Sequence, residues 1–431
     1  MKHIDFKFIT KLCFTFFVSV ALLFGCLVLS CTIPNSAIQK NIEKSAYALG
    51  KEKPYAFENG DKLNSISDNY ADSILLNLSY NMGKGNPLKS AIDTDYYDGE
   101  TKGLNYGLLY TAQNKNEANT DYTRYWHGSA MFVRLSALFT DISGMRLLGF
   151  SIVCFLLLIN LGILVYKKRY FVAVSLLISL CCVQFWNLRF SLEYQSIFAV
   201  CFALLPFFIL LEKNHPNSLY YLFCISGVAV AFFDFLTTET VAILLPLIMV
   251  IALGAKEGRA GTFKEIALFS IKCLAVWGVS YVMTFVLKWT LASFVTGENC
   301  FSSAFSSVTE RFGGEFAGYF DQPKNIFSSV YANFALPFGT EERNNFMLSF
   351  FGTLIFLLVA FSVWYLFRSK TPEKNASLVI LLLATLVPIR FFVLNNHSFL
   401  HCFFTYRALC SVIFAIFTAL WLNIGKVKKK R

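Results

Sequence analysis

The chain is poor in charge, and its cysteines follow no recognisable pattern. Only 15% of its 431 residues are charged, whereas 56% are hydrophobic and 47 are phenylalanine, which excludes an ordinary soluble protein. The twelve cysteines form no C-x-x-C pair and no metal-ligand spacing. The polar segment 32–144 contains no cysteine, so it is not a disulfide-stapled module. Internal repeats of fixed period and low-complexity segments are absent as well.

Long apolar runs dominate what is present. Ten of them reach or approach the ~20 residues that a bilayer-spanning helix needs. They are 12–31, 146–166, 170–186, 195–211, 219–236, 239–254, 267–289, 346–367, 376–394 and 403–424. The first run follows three lysines and is long enough to span, so we predict a retained helix rather than a cleaved signal peptide. The predicted fold is an all-α membrane protein with about ten transmembrane helices.

The basic residues indicate the orientation of these helices. The net charge of +11 is divided among short clusters between apolar runs and is not gathered into one stripe, so we predict no nucleic-acid partner. The clusters lie at 167–169, 213, 256–264, 368–374 and 426–431, all on the side of the N-terminus. The short connections on the opposite side contain one basic residue, Arg189. Both termini are therefore predicted to be cytoplasmic.

This orientation divides the chain into five parts. Residues 1–31 hold the cytoplasmic N-terminus and first helix, 32–145 form a large outer loop with surface helices, and 146–289 hold helices 2–7. Residues 290–345 form a second outer loop, and 346–431 hold helices 8–10 with a basic cytoplasmic tail. The predicted location is a cell membrane, and the cysteine-free outer loop fits a bacterial plasma membrane. Lys272 and Lys288, near the two ends of one helix, are interpreted as snorkelling to opposite interfaces.

Most of the unusual polar residues collect towards the outer leaflet, where charged groups in or beside spans are functional candidates. They are Arg189, Glu193, Asp234, Arg390, His397, His401 and Arg407, joined by Arg124, Tyr125, Trp126 and His127 in the stretch Tyr122–Gly128. Purely structural roles for these residues remain as alternatives. Arg189 and Glu193 would form a local ion pair, Asp234 would cap a helix, Arg390 and Arg407 would snorkel to lipid head groups, and Tyr125 and Trp126 would be interfacial aromatics.

The chemistry of these residues points to an anionic, lipid-linked ligand. Guanidiniums remain charged when partly desolvated and offer two planar donors to a phosphate, which Arg124, Arg390 and Arg407 would bind together with the histidines. Sugar transfer also needs a carboxylate that takes the acceptor's proton. Asp68 and Asp72, four residues apart on one helical face, are the candidates, with a solvated pair of surface acids as the alternative. No cofactor is required by the sequence, and a divalent cation at this pair is left open.

With these features the chain resembles the GT-C superfamily of polytopic membrane glycosyltransferases. The resemblance rests on a first helix that leads into a large outer loop, on Asp68 and Asp72 in that loop, and on the stretches around Tyr122–Gly128, 233–237 and 397–407. It implies a sugar donor linked to polyprenyl phosphate, an envelope glycan or lipid as acceptor, and catalysis on the outer face. Arg189, Glu193, Asp234, Tyr125, Trp126 and His127 would contact substrate.

Two other classes of function remain open at this point. A transporter or flippase for a lipid-linked substrate would place polar sites near mid-depth, often in repeated halves, and the chain has neither feature. A non-catalytic scaffold for envelope assembly would bind a partner through the outer loop. Binding of a polyprenyl-phosphate sugar without turnover would favour either of them over an enzyme.

Overall fold

Apolar helices account for most of the molecule. The computed structural model describes residues 6–99, 104–213, 216–234, 236–259, 261–312, 325–366 and 373–424. It is 77% helical, and seven of its helices are long and apolar enough to cross a membrane. The predicted all-α class is confirmed, and the seven helices indicate a multi-pass membrane protein. The predicted basic stretches 368–370 and 426–431, and 313–324 of the second predicted loop, lie outside the described residues.

Twenty helices and four short strands follow one another along the described chain. The helices are α1 (Phe6–Cys31), α2 (Asn35–Leu49), α3 (Asn69–Asn81), α4 (Pro87–Ser90), α5 (Leu104–Ala112), α6 (Ser129–Ser136), α7 (Ile142–Tyr166), α8 (Tyr170–Cys182), α9 (Leu192–Leu211), α10 (Pro216–Phe233), α11 (Glu239–Lys256), α12 (Phe263–Thr296), α13 (Cys300–Phe312), α14 (Ser328–Ala335), α15 (Phe346–Leu366), α16 (Lys374–Ala384), α17 (Leu386–Val393), α18 (Asn395–Leu400), α19 (Cys402–Thr405) and α20 (Leu409–Ile424). The strands are β1 (Tyr55–Phe57), β2 (Ile66–Asp68), β3 (Asp95–Tyr96) and β4 (Thr120–Asp121), and short 3₁₀ helices occupy Leu63–Ser65, Phe185–Phe190, Leu336–Phe338 and Tyr406–Ala408.

Helix α11 lies at the centre of the bundle. It is hydrophobic on all sides, and 83% of its 18 residues are buried inside the protein, against 11% of the most apolar 18 residues of the peripheral α1. An all-round apolar helix can be surrounded by lipid or by protein, and this burial shows that protein surrounds α11. Beside it, α10 and α12 pack closely because position 227 is glycine: a Cβ there would come within 2.4 Å of the Trp277 carbonyl oxygen.

The described part of residues 32–141 folds into a compact cap on one end of the bundle. The cap holds α2–α6, the antiparallel β1–β2 hairpin and a second two-stranded antiparallel sheet, β3–β4. Arg134 of α6 fastens it to α1. Its fully buried guanidinium donates to the carbonyl oxygens of Ser30 at 2.8 Å, Ser79 at 2.5 Å and Ile33. A buried charge with several hydrogen bonds of this kind fixes the geometry of its neighbours.

The predicted span at 376–394 contains a break. The helix ends at Ala384 and restarts as α17 at Leu386. Pro388 explains the position, because proline lacks an N–H group and its ring clashes with the carbonyl four residues earlier, at Ala384. The predicted span 403–424 is also interrupted, by the 3₁₀ turn Tyr406–Ala408.

The snorkelling interpretation of Lys288 is wrong. Its side chain is fully buried, and its ammonium donates to the carbonyl oxygen of Ile92 at 2.5 Å. The ammonium also lies 5.5 Å from the centre of the Trp126 ring. Lys288 therefore holds the cap against α12, because both of these partners belong to the cap.

Candidate functional site

A polar cavity of about 200 Å³ lies where the cap meets the bundle. Elements far apart in the chain form it: α3, the Tyr122–Gly128 stretch, α9, α13, and the turn through α18 and α19. Its charged or titratable lining residues are Asp68, Arg124, His127, Glu193, Arg311, His397 and His401, and its aromatic ones are Tyr55, Tyr70, Tyr122 and Phe404. Six of the predicted site residues meet in this one cavity together with Arg311.

An apolar cavity of about 340 Å³ adjoins the polar one. Its own walls are almost entirely hydrophobic, with Tyr281, Val282, Phe285 and Trp289 of α12 on one side and Val308 of α13 on the other. Three residues line both cavities: Arg124, Ser307 and Arg311. Two guanidiniums thus lie at the boundary between a polar and an apolar space.

Asp68 caps helix α3 from inside the polar cavity. Its Oδ1 accepts a hydrogen bond from the Ala71 amide at 2.8 Å, which satisfies one of the free N–H groups at the helix start. The hairpin pairs Asp68 with Tyr55, so the carboxyl is held by strand and helix together. Burial raises the pKa of Asp68 to about 7, an effect that the Ala71 bond partly opposes. The carboxyl can therefore exchange a proton near neutral pH.

Asp72, the other predicted acid, occupies a different environment. Its Oδ2 accepts from Arg146 at 2.7 Å, and its Oδ1 accepts from the Ser191 hydroxyl at 2.9 Å and the Leu192 amide at 3.0 Å. Asp72 is fully buried and is not among the lining residues of the polar cavity. It ties α3 to α7 and α9, and both of its oxygens are occupied. It is not available as a cation ligand or a base.

Replacing Asp72 by Asn is therefore expected to destabilise the protein. The change leaves the Arg146 guanidinium without its counter-charge, and removing one partner of a buried ion pair costs about 3–5 kcal/mol. Thermal unfolding of the purified protein in detergent measures the effect. Asp93→Asn is the control, because the surface Lys89–Asp93 pair at 3.7 Å contributes at most about 1 kcal/mol. Equal melting temperatures for the two variants would contradict the assignment.

The three histidines of the cavity are neutral. Burial lowers the pKa of His127 and of His401 to about 3, and that of His397 well below its usual range. Nε2 of His127 lies 2.7 Å from the Tyr122 carbonyl oxygen, and Nε2 of His397 lies 2.8 Å from that of Leu236. In its neutral form, each of these two rings donates from Nε2 to its carbonyl oxygen and adds no positive charge. His397 and His401 could therefore contact a phosphate as neutral hydrogen-bond partners, and their predicted role in phosphate binding stays a prediction.

Acid should weaken the folded state through these rings. Since the pKa of His401 falls from 6.5 in the unfolded chain to about 3, the unfolded chain binds more protons between those values, and stability is lost as pH falls from 6.5. Asp68 acts in the opposite direction below pH 7, so the comparison must be between matched variants. Relative to the wild type, His401→Gln should gain melting temperature steadily as pH falls from 6.5 to 4. A pH-independent difference would contradict the burial of a neutral ring.

The two other predicted phosphate ligands, Arg390 and Arg407, are buried against other partners. Arg390 forms a buried ion pair with Glu239, Nε to Oε1 2.8 Å, and donates to the Leu236 carbonyl oxygen at 2.5 Å. The buried Arg407 lies 4.5 Å from the centre of the Tyr194 ring and 5.0 Å from that of Tyr406. Neither is a lining residue of either cavity. They shape the turn that carries His397 and His401.

The Tyr122–Gly128 stretch divides between cavity and core. Trp126 is fully buried, stacks on Phe232 at 5.1 Å and donates through Nε1 to the Thr284 carbonyl oxygen at 2.9 Å. It is a core anchor, whereas Tyr125 lines the apolar cavity. His127 adopts a left-handed φ of 55°, and Gly128 is required beside it because a Cβ there would come within 2.7 Å of the Phe232 carbonyl oxygen. This backbone turn directs His127 to the cavity.

Arg189 and Asp234 stay outside the cavity. Arg189 is exposed, its guanidinium lies 5.1 Å from the ring centre of Phe190, and the described ion pairs do not join it to Glu193. Asp234 accepts bonds from the Thr237 amide at 3.1 and 3.2 Å and from the Thr237 hydroxyl. These bonds close the turn before α11 but do not cap the helix, because its N-cap is Thr238 and Thr237 precedes it. The interpretation of Asp234 as a helix cap is therefore wrong. Glu193 is the member of this group that lines the polar cavity.

Sequence reasoning misses Arg311, Tyr55 and Tyr70 as site residues. It places Arg311 in a loop, although the apolar residues of 300–312 recur at helical spacing and the segment forms α13. That amphipathic pattern is the signal that could have found it. Nothing in the sequence around Tyr55 distinguishes it from any loop tyrosine, because its position depends on the hairpin with Asp68.

Together the fold and the site define a multi-pass helical membrane protein with an amphipathic cavity beneath a cap. Among the described ranges, no three His, Cys, Asp or Glu side chains are grouped so that they could hold a metal ion. Comparison of the chain with protein-family models, with curated proteins and with solved structures gave no match. The function is therefore argued from the cavity itself.

Proposed function

We propose that the protein is a membrane glycosyltransferase that moves a sugar from a polyprenyl-phosphate donor to a cell-envelope acceptor on the outer face. One observation carries the proposal: the polar and apolar cavities meet at two shared arginines, Arg124 and Arg311. A ligand that fills both must have an apolar tail, an anionic group at the junction and a polar head. A polyprenyl-phosphate sugar has these three parts in this order.

The boundary arginines suit a phosphate. Arg124 lies over the Tyr122 ring, with the guanidinium carbon Cζ 4.5 Å from the ring centre. Its buried Nε has no hydrogen-bond partner among the described residues. Arg311 lies 5.6 Å from the centre of the Tyr125 ring. Stacking on aromatic faces fixes a guanidinium while leaving its edge for a bidentate bond to phosphate oxygens. With the histidines neutral, these two side chains supply the positive charge of the cavity lining.

The reaction can be written with the residues of the cavity. The acceptor hydroxyl oxygen attacks the anomeric carbon, the bond from that carbon to the phosphate oxygen breaks, and the Asp68 carboxylate takes the hydroxyl proton. The electron pair leaves with the polyprenyl phosphate, whose charge Arg124 and Arg311 stabilise. Attack opposite the leaving group inverts the anomeric centre. Glu193, in the same cavity, holds a second acceptor or sugar hydroxyl.

The proposal includes the orientation expected from the sequence. Three shorter apolar helices, Tyr170–Cys182, Asn217–Phe233 and Phe346–Phe361, coincide with the predicted spans that are not among the seven long ones. Counting them gives the ten spans, and with the basic clusters inside, both termini are cytoplasmic. The cap and its cavity then face outwards in a bacterial plasma membrane. The resemblance to GT-C glycosyltransferases agrees with this arrangement.

A flippase or transporter for the same lipid-linked anion is the second candidate. Two predicted spans are discontinuous, one broken at Thr385 and one interrupted by the 3₁₀ turn Tyr406–Ala408. This favours a transporter, because transporters build their sites on discontinuous helices. The enzyme remains the stronger candidate since the cavity holds two carboxyls, Asp68 and Glu193, beside the arginines, which gives sugar transfer both a base and a site for the leaving phosphate.

Turnover separates the two candidates. The full-length protein in proteoliposomes is supplied with radiolabelled polyprenyl-phosphate hexose and an envelope glycan extract. A glycosyltransferase releases polyprenyl phosphate and labels the glycan with time. A transporter changes the accessibility of the donor to an added phosphodiesterase without cleaving it. If the protein is shown to be folded and the donor is neither cleaved nor moved across the membrane, the proposal is overturned.

A further inference from the structure

Two tyrosines form an aromatic wall on one side of the polar cavity. Tyr55 and Tyr70 stack with ring centres 5.9 Å apart and an angle of 22° between their planes. Both line the polar cavity but not the apolar one, so they lie away from the arginine boundary. Both are half-buried. We call this pair the tyrosine wall.

The chain builds the tyrosine wall around Asp68. The β1–β2 hairpin places Tyr55 directly opposite Asp68, and the Tyr70 amide donates to the Pro54 carbonyl oxygen at 3.1 Å. From behind, the buried Phe403 contacts Tyr55 edge to face at 5.7 Å. Strand pairing, the α3 start and the 402–405 turn thus hold the rings. Rings fixed in this way bind a ligand without losing side-chain freedom.

This arrangement suits a sugar ring. One face of a pyranose is formed by C–H groups, which pack on the electron-rich face of an aromatic ring. Its hydroxyl edge needs acceptors, and charge-assisted hydrogen bonds to carboxylates are the stronger kind. The tyrosine wall supplies the first, and Asp68 and Glu193 supply the second in the same cavity. A bare phosphate head group has no comparable flat apolar face to place against the rings.

We infer that the tyrosine wall is the acceptor subsite and that the acceptor is a carbohydrate hydroxyl on a sugar ring stacked against Tyr55 and Tyr70. The role of this sugar as acceptor rests on the proposed function, whereas the binding of a sugar ring does not. The donor phosphate then lies at Arg124 and Arg311, and the acceptor enters from the opposite side of the polar cavity, with Asp68 beside its hydroxyl.

Saturation-transfer NMR on the full-length protein in nanodiscs tests the inference. The probes are methyl glycosides of glucose, galactose, mannose, rhamnose and N-acetylglucosamine, each added alone. The wild type and Tyr55→Phe, which keeps the ring, should transfer saturation to the C–H face of at least one glycoside. Tyr55→Ala should weaken that binding by about tenfold, the upper range for one aromatic contact. Tyr70→Ala is the second variant, should Tyr55→Ala fold poorly.

The controls separate the two proposals. Tyr47→Ala removes an exposed tyrosine of the cap outside both cavities and should change nothing. Undecaprenyl phosphate binding, measured on the same samples by native mass spectrometry, should be unaffected by Tyr55→Ala. Lipid binding without any glycoside binding in the wild type, or glycoside binding equal in wild type and both alanine variants, overturns the tyrosine wall alone. Glycoside binding that needs the wall, without lipid binding, overturns the proposed donor instead.

Discussion

Replacing Asp68 by Asn is expected to lower turnover by on the order of 10³-fold while the protein stays folded, because a positioned general base contributes about 10²–10⁴-fold. Asparagine keeps the side-chain oxygen that accepts from the Ala71 amide at 2.8 Å, so the cap of helix α3 survives. What is lost is the ability to take a proton. Transfer of label from donor to glycan, with melting temperature measured in parallel, gives both quantities.

The pH dependence provides a second readout of the same variant. With the pKa of Asp68 at about 7, the deprotonated fraction, and with it the rate, should be half-maximal near pH 7 and should level off about one pH unit above it. The residual rate of Asp68→Asn should lack that rise.

Two further variants serve as controls. Asp72→Asn should lose stability while its folded fraction turns over normally, and Glu193→Gln should lose less activity than Asp68→Asn. Full activity of Asp68→Asn would rule out this carboxyl as the base, and Glu193 would take its place.

Removing the boundary arginines should have the next largest effect. Arg124→Gln and Arg311→Gln are each expected to weaken undecaprenyl phosphate binding by about tenfold or more, because a hydrogen bond to a charged group contributes about 1.5–3 kcal/mol. The double variant should lose on the order of a hundredfold or more. Native mass spectrometry or a fluorescent polyprenyl phosphate in nanodiscs measures the dissociation constant directly.

A matched arginine provides the control for this series. Arg189→Gln removes an exposed guanidinium that lines neither cavity, so lipid affinity should stay within twofold of wild type, about 0.4 kcal/mol. Sensitivity of binding to Arg189, or a double Arg124/Arg311 variant that binds as wild type does, would place the anion elsewhere. Uncharged polyprenol should bind weakly to all variants alike.

The sequence predicted much of the fold because the information is local. Apolar run length determines which segments can cross a bilayer, and the described helices confirm an all-α, multi-pass architecture. Helix α3 agrees with the helical face on which the sequence places Asp68 and Asp72. The turn at Asp234 is local too, since its partner Thr237 is three residues away, although it precedes α11 and does not cap it. The clustering of six site residues follows in part from the predicted orientation. Glu193, His397 and His401 flank predicted spans on the outer side, whereas Asp68, Arg124 and His127 lie in the first predicted outer loop.

The roles within that cluster were decided by tertiary structure. Asp68 and Asp72 have the same side chain and lie four residues apart, yet Arg146 and Ser191, from two other helices, occupy Asp72 and leave Asp68 to the cavity. Likewise Glu239 pairs with Arg390 across more than a hundred residues, while Arg124 is left at the boundary. Whether a buried charge is neutralised by a partner or remains for a ligand depends on neighbours that no local pattern specifies.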